Sequence, residues 1–400
     1  MEAKTELRQL ADRIGLGEYP VELEEFYEAQ KGSTAPACDL ELIRELQKKY
    51  DLFGEYYDLV LESAEQINAD PDMATWVKAA AQFHKVNDKA TVVKLPVPKI
   101  SENVATNFMM LHIMMPMIPE SFAKMEARGF TWDELDDARR AYKSGISVVR
   151  RQTGIPAMNL TYFSWLNLYC RAMIFKISGF WFELKQFPAQ ALWIKNRETG
   201  KLLPLVKGVF HREGTMILGS KNYEDPEGSF VAEYSEDAEN FYGHGCYDNV
   251  TEKNQRTYPK SLWECVARPS DYCLGMHIPA KTDISTQATL NACRDAIKLV
   301  HSRFPEYGVN NGVFCTSWLL NPRLKQIQGE QSRITQFEEC FTKYPNKDTS
   351  GSAVFSFVFA RKPKDLQDLE ENTSLQRKVK KMYLDGDCIH LHSGAIFVEE

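Results

Sequence analysis

Paired cysteines are missing from this chain. Its nine cysteines are odd in number and never spaced as Cys-x-x-Cys, which leaves no basis for a zinc ribbon or a disulfide framework and suits reduced thiols packed as small apolar residues. A basic excess is missing too. The 48 Lys and Arg stand against 55 Asp and Glu, a net charge of −7 without long like-charged blocks, so there is no basic stripe for a nucleic-acid backbone to meet and no nucleic-acid partner is expected. Long apolar runs are also absent. The most apolar stretch, 157–170, is followed by Arg171 and Lys176 and falls short of the roughly 20 residues a membrane span needs; it reads as a buried helix. The opening Met1-Glu-Ala-Lys-Thr-Glu6 is charged from its second residue and lacks the apolar core of a signal peptide, so a cytoplasmic location is expected. No internal repeat or low-complexity tract stands out.

What is present is chain enough for two cores. Residues 1–153 show helical spacing almost throughout, in short segments near 6–14, 40–49 and 56–67 and from Asp70-Pro71 onward, with an extended connector expected at 90–100 around Pro96 and Pro98. Thr131-Trp-Asp-Glu134 reads as a capping box that opens a helix through Val149. The cluster Met109-Met-Leu-His-Ile-Met-Met-Pro-Met117 invites a soft-metal reading, but nothing acidic or cysteinyl completes a site. A core helix ended by Pro116 and Pro119 is the expectation. The second domain, 154–400, changes to strand spacing at Ser178-Gly179. It begins as an antiparallel meander near 180–184, 191–194, 205–210 and 229–234, with turn-rich pieces such as Asp225-Pro-Glu-Gly228 between strands.

The stretch from Tyr272 to Leu320 organises that domain. Residues 272–278 form an apolar run closed by Pro279; 286–304 carry apolar residues at alternating spacings of three and four; 313–320 form a second apolar run. Strand, helix and strand at these lengths make a parallel pair with a right-handed crossover. The loop 279–285, with Ser285 as the expected helix cap, then lies at the carboxyl edge of the sheet, where helix N–H groups and the dipole favour an anion such as phosphate. By alternation Cys273, Gly275 and His277 share one face of the first strand, and Thr316 and Trp318 one face of the second. Later elements are expected as a helix at 333–341, a strand at 353–360, a charged loop at 361–372, a helix at 374–384 and a last strand near 395–398.

His277 has the intrinsic pKa of a general base and stands at the mouth of the sheet. Ser317 and Trp318 could line a pocket, as donor and wall. Glu183, after three apolar residues, could be a buried carboxylate acting through water. Tyr242 and His244, in Phe241-Tyr-Gly-His-Gly245, are expected on a glycine loop able to close over substrate. Cys315, on the face of Ser317, is a candidate nucleophile set against the usual inertness of buried strand cysteines. His390-Leu-His392 has a metal-compatible spacing without an evident third ligand, and no metal is expected.

Four pieces in order carry a resemblance: Phe175-Lys-Ile-Ser-Gly-Phe-Trp-Phe-Glu183, Phe241-Tyr-Gly243, Met276-His-Ile-Pro279 and Ser317-Trp-Leu-Leu-Asn-Pro322. Together they resemble the bacterial two-domain acyltransferase-like proteins, which join a helical N-terminal domain to a GNAT-like C-terminal domain. The resemblance implies an α+β fold and acyl transfer from acetyl-CoA or another acyl-CoA to an amine on a small-molecule acceptor. It places the donor's pyrophosphate on Ile278, Ala280, Lys281, Thr282, Ser285 and Thr286. Family members tend to have glycines where this chain has Lys281-Thr282-Asp283, and often His where it has Thr316. The usual GNAT phosphate fingerprint of a basic or Gln residue with spaced glycines is absent. A non-catalytic ligand-binding protein on the same fold and an acyl hydrolase using Cys315 or Ser317 remain the alternatives.

Overall fold

The computed structural model describes residues 4–218, 227–347, 350–359 and 363–399. Asp225 and Pro226 of an expected turn, Ala360 at the end of an expected strand, and Arg361 at the start of the charged loop lie outside them. The chain divides into two compact units, Met1–Phe175 and Lys176–Glu400, and residues 154–175 cluster with the first.

The first unit is helical. Helices Glu6–Arg13, Leu40–Tyr50, Tyr57–Ala69 and Pro71–Val86 stand close to their expected positions. Asp70 caps the last of these by accepting from the N–H groups of Asp72 and Met73, with proline at the first turn where its missing N–H costs nothing. The methionine cluster lies in Val104–Met114 and the 3-10 turn Met115–Met117. Its members Met109, Met110, Met114 and Met115 are buried, and His112 hydrogen-bonds Ser63 at 2.7 Å inside the core. Pro119 does not end this helix but opens the next, Ile118–Ala127. The capping box forms, with Thr131 N–H donating to Glu134 Oε2 and Glu134 N–H to Thr131 Oγ1. It closes a turn, and the helix proper runs Asp136–Thr153. The connector carries a short helix, Lys89–Val92, before its prolines. The aromatic stretch is the helix Leu160–Cys170.

The second unit contains fifteen strands among its described residues, the first of which begins in the preceding unit: β1 (Ile174–Ile177), β2 (Phe180–Gln186), β3 (Ala191–Asn196), β4 (Leu202–Val206), β5 (Gly208–Phe210), β6 (Phe230–Ala232), β7 (Tyr234–Glu236), β8 (Asn240–Tyr247), β9 (Val250–Thr251), β10 (Arg256–Pro259), β11 (Trp263–Ala267), β12 (Tyr272–His277), β13 (Gly312–Ser317), β14 (Thr342–Pro345) and β15 (His392–Phe397). The change of period therefore falls just before Ile174. Ser178 and Gly179, with φ of 48° and 90°, form a two-residue hairpin turn between β1 and β2, where positive φ at both positions matches strand twist.

The strands do not make one meander. Six form a sheet ordered β1-β2-β12-β13-β15-β14, and β10-β8-β4-β3-β11 run through a seven-stranded sheet; β5 and β6 pair separately. Within the first sheet β12 and β13 are parallel, with Leu274 opposite Val313 and Gly275 opposite Phe314. The crossover helix between them is Thr286–Arg303, so the expected strand-helix-strand unit is present. One apolar layer, including Phe187, Trp193, Val206, Phe210, Cys273, Phe314, Tyr344 and Ala395, joins residues of both sheets. Residues 353–358, expected as a strand, instead form a helix, Ala353–Val358. Phe355 and Phe359, four apart, bring their rings to 6.3 Å, and Phe355 packs edge-on against Tyr383 at 5.0 Å.

Candidate active site

Sheet register decides which candidates meet. Antiparallel pairing sets β2 against β12 with His277 opposite Trp181, Gly275 opposite Glu183 and Cys273 opposite Lys185. Opposed residues share a face, so Trp181, Glu183 and Lys185 project on the side of Cys273, Gly275 and His277. His277 Nε2 lies 2.8 Å from Glu183 Oε2. The Glu183 side chain is 12% exposed and that of His277 is 37% exposed, a largely covered carboxylate holding an imidazole that reaches solvent. Because an ionised carboxylate only accepts, the hydrogen of this bond belongs to Nε2, and the neutral ring then carries its basic lone pair on Nδ1.

Extending the parallel register by two residues sets Thr316 at the level of His277 on the neighbouring strand. Thr316 is exposed, and its Oγ1 lies 2.8 Å from Ser393 Oγ, which accepts from Asn346 Nδ2 at 2.7 Å. Below this level, at Cys273 and Phe314, the same face is closed by the apolar layer. The face is thus dry at one end and polar at the end that meets the loop.

That loop is tied to the β1–β2 turn, which is itself tied to the crossover helix. Thr282 Oγ1 donates to the carbonyl of Gly179 in the β1–β2 turn at 3.0 Å, and Ser178 Oγ donates to Asp295 of the crossover helix at 3.1 Å. Lys281 adopts φ of 69°, the left-handed conformation that glycine takes without steric cost. Ser285 occupies the helix cap, but its hydroxyl makes no capping bond, contrary to expectation. Asp283 instead accepts from the Ser285 N–H at 3.0 Å, which holds its carboxyl below the usual carboxylate range. The charge of Arg333 adds to that effect. Ile278 and Ser285 are partly buried, whereas Ala280 and Lys281 on the loop and Thr286 at the start of the helix are exposed.

Other candidates stand apart from the pair. Ser317 projects on the opposite face of β13 from Thr316, and its Oγ accepts from Leu319 N–H at 3.1 Å, capping a 3-10 turn. Trp318 is in that turn and not on the strand, so it does not share a strand face with Thr316. It is buried against Leu324, Val354, Phe355 and Val379. Tyr242 and His244 do not lie on a loop. Both belong to β8 in the other sheet, where Tyr242 donates to Asp237 at 2.7 Å and buried His244 bonds the Glu252 carbonyl through Nδ1 at 2.9 Å. Cys315 is fully buried and its thiol is pushed up to about 12 by burial, the reverse of an activated nucleophile. Burial likewise pushes His392 down to about 3, and among the described residues no group of three or more His, Cys, Asp or Glu converges on a metal position.

Sequence inspection missed Lys185 and the Thr316–Ser393–Asn346 relay. Alternation along Trp181-Phe-Glu-Leu-Lys185 could have found the lysine, since it shares the face of Glu183. The relay joins residues far apart in sequence and needs the register.

No curated protein matches this sequence. Among solved structures, a mutant acyltransferase in complex with octanoyl-CoA is similar at TM-score 0.65 and 15% identity, covering 99% of this chain and 100% of its own. An acyltransferase in complex with decanoyl-CoA is similar at 0.64 and 16%, and one in complex with decanoyl-CoA and teicoplanin at 0.61 and 16%, each over 99% of this chain and 100% of theirs. At these identities the likeness is one of fold, here over the whole chain. Residues 189–396, from β3 through the loop to β15, match the family of GNAT-like C-terminal domains, and the chain belongs to that family.

Proposed function

We propose that this chain transfers the acyl group of an acyl-CoA, acetyl-CoA or a longer-chain homologue, to the amine of a small molecule, as a cytoplasmic bacterial enzyme. The observation that carries this reading is the His277–Glu183 pair at the carboxyl end of β12, directly before the loop that enters the crossover helix. An amine nucleophile must lose a proton as it attacks a thioester, and a neutral imidazole oriented by a carboxylate is suited to take it. The solved neighbours bound to octanoyl-CoA, decanoyl-CoA or CoA support the same donor here.

In this reading the donor's pyrophosphate rests on Ala280, Lys281, Thr282, the Ser285 hydroxyl and the first helical N–H groups from Thr286 onward, with Ile278 against the adjoining chain. The acceptor nitrogen attacks the thioester carbon, and the carbonyl π pair moves to oxygen. The nitrogen's proton passes to His277 Nδ1 while Nε2–H stays bonded to Glu183. Collapse of the adduct breaks the C–S bond, and the departing thiolate takes the proton back from the imidazolium. Glu183 holds the ring in place and balances its charge.

Replacing His277 with Ala tests the reading. Turnover of decanoyl-CoA with hydroxylamine as acceptor is expected to fall by about 10²- to 10⁴-fold, with affinity for decanoyl-CoA nearly intact. Unchanged turnover removes His277 from the mechanism.

A further inference from the structure

Lys185 is a charged residue on this face that the mechanism above leaves unused. It stands opposite Cys273, at the level where the apolar layer closes, yet its side chain does not stay there. Gly275, on the next level toward the loop, leaves a gap that the lysine fills: a Cβ at Gly275 would lie 2.5 Å from Lys185 Cδ and 3.3 Å from its Cγ. The stem therefore crosses β12 through the space a side chain would occupy, and the ammonium ends over the ring of Phe314 on β13, 5.7 Å from its centroid. Phe314 is two residues before Thr316 on the same face. The ammonium is thus carried from the level of Cys273 to that of Gly275 and Phe314, one step below His277 and Thr316.

No hydrogen-bond acceptor or carboxylate pairs with this ammonium among the described residues; its partner is the ring. Glu183 lies on the same strand face, two residues away, but is engaged by His277. A partly buried cation normally finds an anion. Here the stem is fixed by packing and one aromatic face, and no anion among the described residues is paired with the positive charge. Attack on a thioester creates a negative charge where the ground state has a neutral carbonyl oxygen, and a fixed cation in a site partly closed to water stabilises that charge most.

We propose that Lys185 is the residue that stabilises the oxyanion of this site. This rests on the acyl-transfer reading above. As the acceptor nitrogen bonds to the thioester carbon, the carbonyl pair moves onto oxygen beside the Lys185 ammonium; when the C–S bond breaks the pair returns and the lysine keeps its proton throughout. Gly275 belongs to the same device, because any side chain there displaces the lysine stem.

The test uses the full chain with decanoyl-CoA as donor and hydroxylamine as a small acceptor, following hydroxamate formation, with calorimetric binding of decanoyl-CoA measured separately. Lys185→Met keeps the stem's length and removes the charge. Its kcat is expected to fall by about 10²-fold or more, with the dissociation constant for decanoyl-CoA within about twofold of the original. Lys185→Arg should recover part of the loss. Gly275→Ala, which retains the ammonium but moves it, should fall between, and melting temperatures identify a variant that has simply unfolded. An unchanged kcat in Lys185→Met overturns the proposal. So does a loss confined to donor affinity, which would make the lysine a ground-state phosphate contact. Decanoyl-CoA bound without measurable hydroxamate in the unaltered chain contradicts this role while leaving donor binding standing; no binding at all removes the acyl-transfer reading itself.

Discussion

His277 and Glu183 meet at 2.8 Å although neither is the register partner of the other: His277 stands opposite Trp181, and Glu183 stands opposite Gly275. The contact is a diagonal one, and the missing side chain at Gly275 is what leaves room for residues of β2 to lean across β12. The carboxylate is the more buried member, so the imidazole is held from beneath and offered outward.

Glu183→Gln tests the importance of charge in that bond. An amide oxygen can still accept from Nε2–H, so the ring position is retained, while stabilisation of the imidazolium formed during transfer is lost. A charge-assisted bond is roughly twice as strong as a neutral one, and a loss of about 1.4 kcal/mol lowers kcat about tenfold. Steady-state kinetics with decanoyl-CoA and hydroxylamine check this; equal kcat in both proteins would make Glu183 a packing residue.

Lys281→Gly separates backbone form from charge in the loop. Glycine adopts the positive φ of this position more readily than lysine, so thermal stability should hold or rise slightly. The lost cation should weaken coenzyme A binding by up to about fivefold at low salt, within the range of an exposed ion pair, and the difference should shrink as salt is raised. Calorimetry at two ionic strengths reads it. Tighter binding by the glycine variant would show that Lys281 obstructs the donor.

Trp318 was a candidate pocket wall, and its surroundings give a different expectation. It is 8% exposed and packed into the cluster with Leu324, Val354 and Val379. Trp318→Ala should cost about 3–5 kcal/mol of stability, measured by urea unfolding, with the folded fraction keeping its donor affinity. A stable variant with weakened donor binding would restore the pocket role.

Two histidines of the helical unit set its acid sensitivity. Burial pushes His84 down to about 4, assisted by the charge of Arg171, and burial alone pushes His112 down to about 3. Both are neutral in the fold, whereas the unfolded chain binds protons near pH 6.5. Their contribution is complete above about pH 6.5 and is lost as pH falls toward 4 and then 3, at about 1.4 kcal/mol per pH unit for each group. His84→Gln can still donate to Asn167, the present partner at 2.6 Å, and should flatten the fall in urea midpoint between pH 6.5 and 4.5. An unaltered slope would exclude His84 as its source.

The strand-helix-strand unit was legible because local period decides it. The runs at Tyr272–His277 and Thr286–Arg303 each carry their own apolar pattern, and the proline and cap residues mark their ends. His277 and Glu183 were legible as separate candidates, but their pairing was not, because β2 and β12 are neighbours only after the chain has left one sheet for another. Strand β8 was hidden by its glycines, which read as a mobile loop. In the fold they permit close packing: a Cβ at Gly243 would meet Leu205 and Tyr234 at 3.1 Å, and one at Gly245 would meet the Tyr258 hydroxyl at 2.7 Å. The run Ala353–Val358 has β-forming residues, yet its aromatics seat on the helix Ser374–Leu384 through Tyr383, and tertiary packing overrides the local preference.

The measurement that bears most directly on acyl transfer is a calorimetric titration of the full chain with acetyl-CoA, coenzyme A and decanoyl-CoA, run in parallel on the unaltered protein and on His277→Ala. Binding at micromolar or tighter in both proteins, with hydroxamate formed about 10²- to 10⁴-fold more slowly by His277→Ala, is the predicted result. No heat and no thermal stabilisation with any of the three would contradict it, because the loop between β12 and the crossover helix would then not be a donor site.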